Sequence, residues 1–208
     1  MRRVLFCAVM SLFFCLTSCT DGKMHIRSVN SFNNDWKFYL GDMDNGAQES
    51  LDDTNWRTLN LPHDWAVEGD FSPYNPSGTG GGALPGGVGW YRKTFIADES
   101  YQGKKVYIDF DGVYMNSQVY INGTLLGKRP YGYISFRYDL TPYLKYGEEN
   151  VVAVRVDNAE QPNSRWYSGC GIYRNVWLTV VNPVHVDLWG TYVTDRKSTR
   201  LNSSHEST

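Results

Sequence analysis

Along most of this chain apolar and polar residues alternate with a period of two, the spacing of strands with one buried face rather than of helices. Residues 90–96 follow this rule. Lys105–Phe110 sets Val106, Ile108 and Phe110 on one face and ends in the turn pair Asp111-Gly112. Residues 118–121 run into Asn122-Gly123, a strong hairpin signal, and return through 124–126, so 105–126 is expected to be a meander of neighbouring strands. Residues 136–140 form a short strand that stops near Pro142, and 150–156 form another after the turn at Gly147. Residues 172–181 read as a long strand, and 185–193 as one more after Asn182-Pro183, where a domain boundary is placed. Many short strands without intervening amphipathic helices indicate an all-β antiparallel sandwich, most simply a jelly roll.

The two ends do not share this pattern. Met1-Arg2-Arg3 is a short basic start, residues 4–16 are apolar but too few to span a bilayer, and Leu16-Thr17-Ser18-Cys19 follows. Residues 1–19 are therefore expected to be a secretion signal. Their ending resembles a bacterial lipobox, which implies lipidation of Cys19 and anchoring to a membrane surface in the periplasm or at the outer membrane of a Gram-negative cell. Residues 20–29 are expected to be a linker, 30–182 the jelly roll, and 183–194 the start of a further domain. At the other end, 195–208 is polar and aperiodic and resembles the in-frame translation of a sequencing-library adapter rather than a natural protein segment.

Composition narrows the chemistry. A net charge of -2 provides no basic face for nucleic acid, so no such partner is expected. Of the four cysteines only Cys170 lies beyond the signal, which excludes an intrachain disulfide in the mature domain, and the four histidines are scattered, so no metal or cofactor is expected. The run from Gly78 to Gly89 lacks the Gly-Lys-Ser/Thr ending of a phosphate loop and precedes a strand, so it reads as a surface loop. Aromatic residues make up 15% of the chain, and such rings serve β cores and sugar stacking alike.

Four segments resemble the N-terminal sugar-binding domain of family-2 glycoside hydrolases, especially β-galactosidases of gut Bacteroidetes. They lie at 56–65 (Trp-Arg-Thr-Leu-Asn-Leu-Pro-His-Asp-Trp), 87–95, 119–127 and 163–178, the last containing Ser-Arg-Trp-Tyr-Ser-Gly-Cys-Gly-Ile-Tyr-Arg. The resemblance implies a galactose-binding-domain-like jelly roll followed by an immunoglobulin-like sandwich, whose first strand would be 183–194, and then a (β/α)₈ barrel. It also implies a parent enzyme that removes terminal non-reducing β-D-galactosides with retention, using two glutamates about 5 to 5.5 Å apart on that barrel. Neither glutamate falls within this chain, so no catalytic residue is assigned here. Glu148-Glu149 and Asp52-Asp53 are expected to be solvated turn residues.

What the resemblance leaves to this chain is one wall of the sugar pocket. Arg165 is the leading candidate to donate paired hydrogen bonds to sugar hydroxyls, and Trp166 to stack on the apolar face of the ring. Asn163 and Asp64 complete the candidate set. The bland alternatives are that Trp166 is core, that Arg165 closes a structural ion pair, and that Asp64 braces a loop. His63 and Tyr91 are weaker candidates, and Cys170 reads as a small packed residue rather than a nucleophile. Two other functions stay open: a stand-alone carbohydrate-binding lipoprotein, and an enzyme of the same family acting on β-glucuronides or β-mannosides.

Overall fold

The computed structural model describes residues 27–194; the signal, Cys19, most of the linker and the 195–208 tail lie outside the described residues. Ten strands form two antiparallel sheets. The strands are β1 (Arg27–Ser31), β2 (Trp36–Leu40), β3 (Arg57–Leu59), β4 (Gly87–Ile96) and β5 (Lys105–Phe110), followed by β6 (Ser117–Ile121), β7 (Thr124–Arg129), β8 (Phe136–Asp139), β9 (Glu149–Asn158) and β10 (Val176–Val181). One sheet has the order β1-β10-β5-β8 and the other β3-β2-β4-β9-β6-β7. This is the jelly-roll sandwich that the alternation predicts.

The core lies between the sheets and comes from the inward parity of each strand. Val106, Ile108 and Phe110 of β5 face Val152, Val154 and Val156 of β9, with Trp36, Ile121 and Leu140 filling the space between, all fully buried. Phe110 and Phe136 stack with centroids 5.0 Å apart. Burying each large apolar side chain contributes roughly 1.5–3 kcal/mol, the main drive for closing the sandwich.

Four expectations about the strands need correction. β1 begins inside the stretch read as linker: its residues Arg27–Ser31 pair in register with Trp177–Val181, although Val29 is its only large apolar side chain. The meander over 105–126 does not form. β6 and β7 are the hairpin expected at Asn122-Gly123, but β5 belongs to the other sheet, and the chain crosses the sandwich after Asp111-Gly112 so that both strands direct their apolar faces into one core. The long strand over 172–181 is shortened to Val176–Val181, because Asn175 accepts from Asn33 Nδ2 and Asp111 N, and this knot holds 172–175 off the ladder.

The fourth concerns 185–193, where the structure has no strand. Asp187 receives the backbone N–H groups of its own Leu188 and Gly190, closing a tight turn in which Trp189 has φ 55°. A strand is stable only when a neighbour satisfies its backbone groups, and these residues lie over the outer face of β5 and β8 rather than beside an edge. There Asp187 Oδ1 is 3.3 Å from Arg137 Nη1, while Arg137 also grips Asp109 with two hydrogen bonds of 2.5 and 3.0 Å.

The outer face of the larger sheet is covered by the loop 41–55. Arg92 of β4 is 1% exposed; its Nε donates to Asp53 Oδ2 at 2.8 Å and its Nη1 to the Gly46 and Gln48 carbonyls, both at 2.9 Å. Asp53 is therefore the partner of a buried cation and not the solvated turn residue expected. Gly46 is required there, since a Cβ would stand 2.6 Å from the Trp90 indole.

Candidate functional site

Two segments meet at one end of the sandwich: the β3–β4 connection around 61–69, and the β9–β10 connection around 159–175. Asp64 ties them together. Its Oδ1 accepts the N–H of Ala66 at 3.0 Å and of Cys170 at 2.9 Å, and its Oδ2 accepts the Tyr167 hydroxyl. Burial and the adjoining carboxylate push the Tyr167 phenol well above its ordinary range, so it stays a donor. With three hydrogen bonds inside the protein, Asp64 is the loop brace of the bland alternative. Gly169 makes room for it, having φ 80° and a Cβ position 3.0 Å from Asp64 Oδ2.

Behind this brace lies a closed group of polar side chains. His63 Nδ1 and the Tyr91 hydroxyl are 2.7 Å apart, with Tyr91 fully buried and His63 nearly so. Desolvation lowers the His63 pKa and raises that of Tyr91, keeping both neutral. His63 Nε2 sits 3.4 Å from Glu68 Oε1 without the alignment of a hydrogen bond. Neither residue reaches the surface where a sugar would lie, which removes the two weaker candidates. Cys170 is 3% exposed, against Asn158 Nδ2 at 2.9 Å, and its thiol is pushed up to about 12 by burial; it is the inert packed residue expected.

In front of the brace the loop 163–168 projects outward. Asn163 fixes its root: Nδ2 donates to Asn158 Oδ1 at 2.7 Å and to the Glu160 carbonyl at 3.2 Å, and Oδ1 accepts the Tyr114 hydroxyl at 3.4 Å. Its amide is consumed by the protein, so Asn163 positions the loop. Trp166 is 61% exposed and is not core. Its indole Nε1 donates to the Tyr133 hydroxyl at 3.0 Å, which sets the ring plane and leaves its surface open. Arg165 is exposed and makes no ion pair or hydrogen bond among the described residues. The structural ion pair envisaged for it is absent there.

Thus the four predicted residues divide into two that build, Asp64 and Asn163, and two that present, Trp166 and Arg165. Sequence reasoning missed the aromatic shelf beside them. Tyr133 packs edge-on to Tyr114 at 5.3 Å and to Tyr131 at 5.5 Å, and Tyr173 donates to the Gly132 carbonyl at 2.8 Å. The readable signal was Tyr131-Gly-Tyr133 after Arg129-Pro130, an aromatic pair flanking a glycine in a loop. An exposed guanidinium beside a fixed indole face and a tyrosine shelf can bind a polar molecule with one apolar face, which describes a pyranose. Among the described residues there is no group of three or more His, Cys, Asp and Glu side chains that could hold a metal ion.

Comparison with known proteins supports this chemistry. Residues 29–182 match the family model described as glycosyl hydrolases family 2, sugar binding domain. A β-galactosidase of Bacteroides ovatus is 68% identical over 180 residues, covering 85% of this chain and 21% of that protein. A candidate β-glucuronidase of Formosa agariphila is 55% identical over 159 residues, covering 76% and 15% respectively. The crystal structure of a β-glycosidase from Bacteroides vulgatus superposes with a TM-score of 0.75 at 50% identity, over 77% of this chain and 21% of the other. The chain thus spans about a fifth or less of the length of these relatives.

Proposed function

The chain belongs to glycoside hydrolase family 2 through its sugar-binding domain, and from that premise we propose that it forms the N-terminal part of an exported, exo-acting retaining enzyme that hydrolyses terminal β-D-galactosides. Its own part is to bind and orient the sugar, while the two catalytic glutamates are supplied from outside it. The observation that carries this reading is Arg165: a guanidinium with no hydrogen-bond or ion-pair partner among the described residues, on a loop tied at both ends by Asp64 and Asn163. Rigidity matters because a donor already in place loses little entropy when the substrate arrives. Trp166 then offers its ring to the apolar face of galactose while Arg165 donates to hydroxyls.

In the same reading residues 183–194 open a second, immunoglobulin-like domain, and Cys19 carries the lipid that holds the enzyme at the membrane. The membership of the family and the length of the relatives support an enzyme over a stand-alone binding lipoprotein. A second reading keeps the enzyme and changes the sugar. An unpaired guanidinium also suits the carboxylate of a β-glucuronide, a bidentate charge-assisted pairing, and one relative bears that name.

The test is Arg165→Ala in the full-length protein. With p-nitrophenyl β-galactoside, kcat/KM is expected to fall about 10- to 100-fold, the loss of one or two hydrogen bonds to a charged donor. A larger loss with the β-glucuronide, together with better turnover of it by the native protein, would establish the second reading. Unchanged kinetics on both would refute the role of Arg165. Residues 20–194 alone are expected to release no p-nitrophenol.

A further inference from the structure

A second groove lies on the other side of the 61–69 segment, with a volume of about 410 Å³. Phe38 and Trp65 form its floor, their rings stacked 5.8 Å apart. One wall is the stacked pair Tyr39 and Trp56, centroids 5.3 Å apart at 29°. The other is the bidentate pair of Arg57 and Glu68, with Nη1 to Oε2 at 2.6 Å and Nη2 to Oε1 at 2.8 Å. We propose that this groove is a second carbohydrate-binding site, distinct from the Arg165 loop, for a neutral β-linked galactosyl oligosaccharide.

Three features select that class of ligand. The groove falls in the size range of small-molecule sites, and the exposed Tyr39 ring, stacked on Trp56, offers the aromatic wall that the apolar face of a pyranose requires, above a floor closed by the buried Phe38 and Trp65. Its polar rim is fixed in place: Glu68 is held by Arg57 and faces His63 from behind, which keeps its carboxyl below the usual range and therefore an acceptor for sugar hydroxyls. The rim is also electrically neutral, because Arg57 and Glu68 cancel. A uronate or a phosphate gains no net attraction from a neutral rim, whereas a neutral sugar can donate to Glu68 and accept from the outer N–H groups of Arg57. An apolar peptide would strip water from this exposed ion pair without compensation.

The choice of galactose rests on the β-galactosidase reading above; the existence of the groove does not. The two sites share a support, since Asp64 braces 167–170 while Trp65 and Glu68, on the same segment, line the groove. An exo-acting enzyme holds only the terminal sugar, and a second site on the same domain would keep a branched or longer substrate near the surface.

Calorimetric titration of the full-length protein with S-linked β-1,4-galactobiose, which resists hydrolysis, tests this. The native protein is expected to bind two molecules per chain. Trp56→Ala and Tyr39→Ala should each weaken the second site at least about fivefold, or remove it, with p-nitrophenyl β-galactoside hydrolysis unchanged. Thermal melts establish that each variant folds, and Tyr39→Ala decides the matter if Trp56→Ala does not. Arg165→Ala should remove the other site only. One molecule per native chain, lost in Arg165→Ala and kept in Tyr39→Ala, would overturn the second site and leave the proposed function standing. Binding lost in Tyr39→Ala but untouched in Arg165→Ala would do the reverse.

Discussion

Arg92 and Arg165 are the same side chain in opposite circumstances. Arg92 lies under the loop 41–55 with its donors spent on Asp53 and three backbone carbonyls, while Arg165 stands at the tip of the 163–168 loop with no partner among the described residues. A buried guanidinium must be fully paired because its desolvation is otherwise uncompensated. An exposed one costs nothing unpaired, and its donors stay available. The difference assigns roles without any appeal to residue type: pairing inside the protein marks construction, and a rigidly held but unpaired donor marks recognition.

The largest expected effect tests the construction half. Arg92→Ala should destabilise the domain by about 3–5 kcal/mol, because it strands Asp53 and frees the loop 41–55 from the sheet. Arg165→Ala should stay within about 0.5 kcal/mol by the same denaturant titration, as expected for an exposed side chain with no hydrogen bond or ion pair among the described residues. If the two losses were equal, pairing would not distinguish the roles.

Asp64 lies between these extremes and sharpens the contrast. Asp64→Ala leaves the N–H groups of Ala66 and Cys170 and the hydroxyl of Tyr167 without their acceptor, at a cost of about 1–3 kcal/mol. It should also raise KM for galactosides by loosening the loop that carries Arg165. Asp64→Asn keeps one acceptor oxygen and should recover part of the stability. A variant with normal stability and raised KM would instead make Asp64 a direct sugar ligand.

How far the sequence foretold these regions follows from the same physics. The alternation was most legible in β5, β6 and β9, which bury one face, so Val106 and Ile108 or Val152, Val154 and Val156 announce themselves. β1 was not, since Arg-Ser-Val-Asn-Ser at an edge gains its order from pairing with β10 rather than from burial. β3 is too short to show a period. The false meander arose because Asp111-Gly112 marks a turn equally well whether the chain doubles back or crosses between sheets. At the site, Arg165 and Trp166 were named through a local motif, whereas Tyr133 joins Trp166 from 33 residues away and Tyr114 joins Asn163 from 49, and no local pattern carries that distance.

The smallest effect concerns a third arginine of intermediate kind. Arg155 grips Asp42 with hydrogen bonds of 2.9 and 2.5 Å at the open margin of the loop 41–55, where Asp42 also accepts from Trp90. The Arg155 hydrogen bonds, foremost, hold the Asp42 carboxyl at about 2, below its unfolded value near 3.9. A carboxylate depressed in the folded state stabilises fully above its unfolded pKa and loses that contribution as the pH falls through its folded one. The pair should therefore support the domain above about pH 4 and weaken between about pH 4 and pH 2. Solvent at this margin limits the contribution to about 0.5 kcal/mol. Asp42→Asn should lower the midpoint of urea unfolding slightly at pH 7 and converge on the native protein near pH 2, with added salt shrinking the gap at pH 7. Arg92 should show no such salt dependence, because its partners are shielded by the loop; an equal response to salt at both arginines would mean that the 41–55 loop does not seal the sheet.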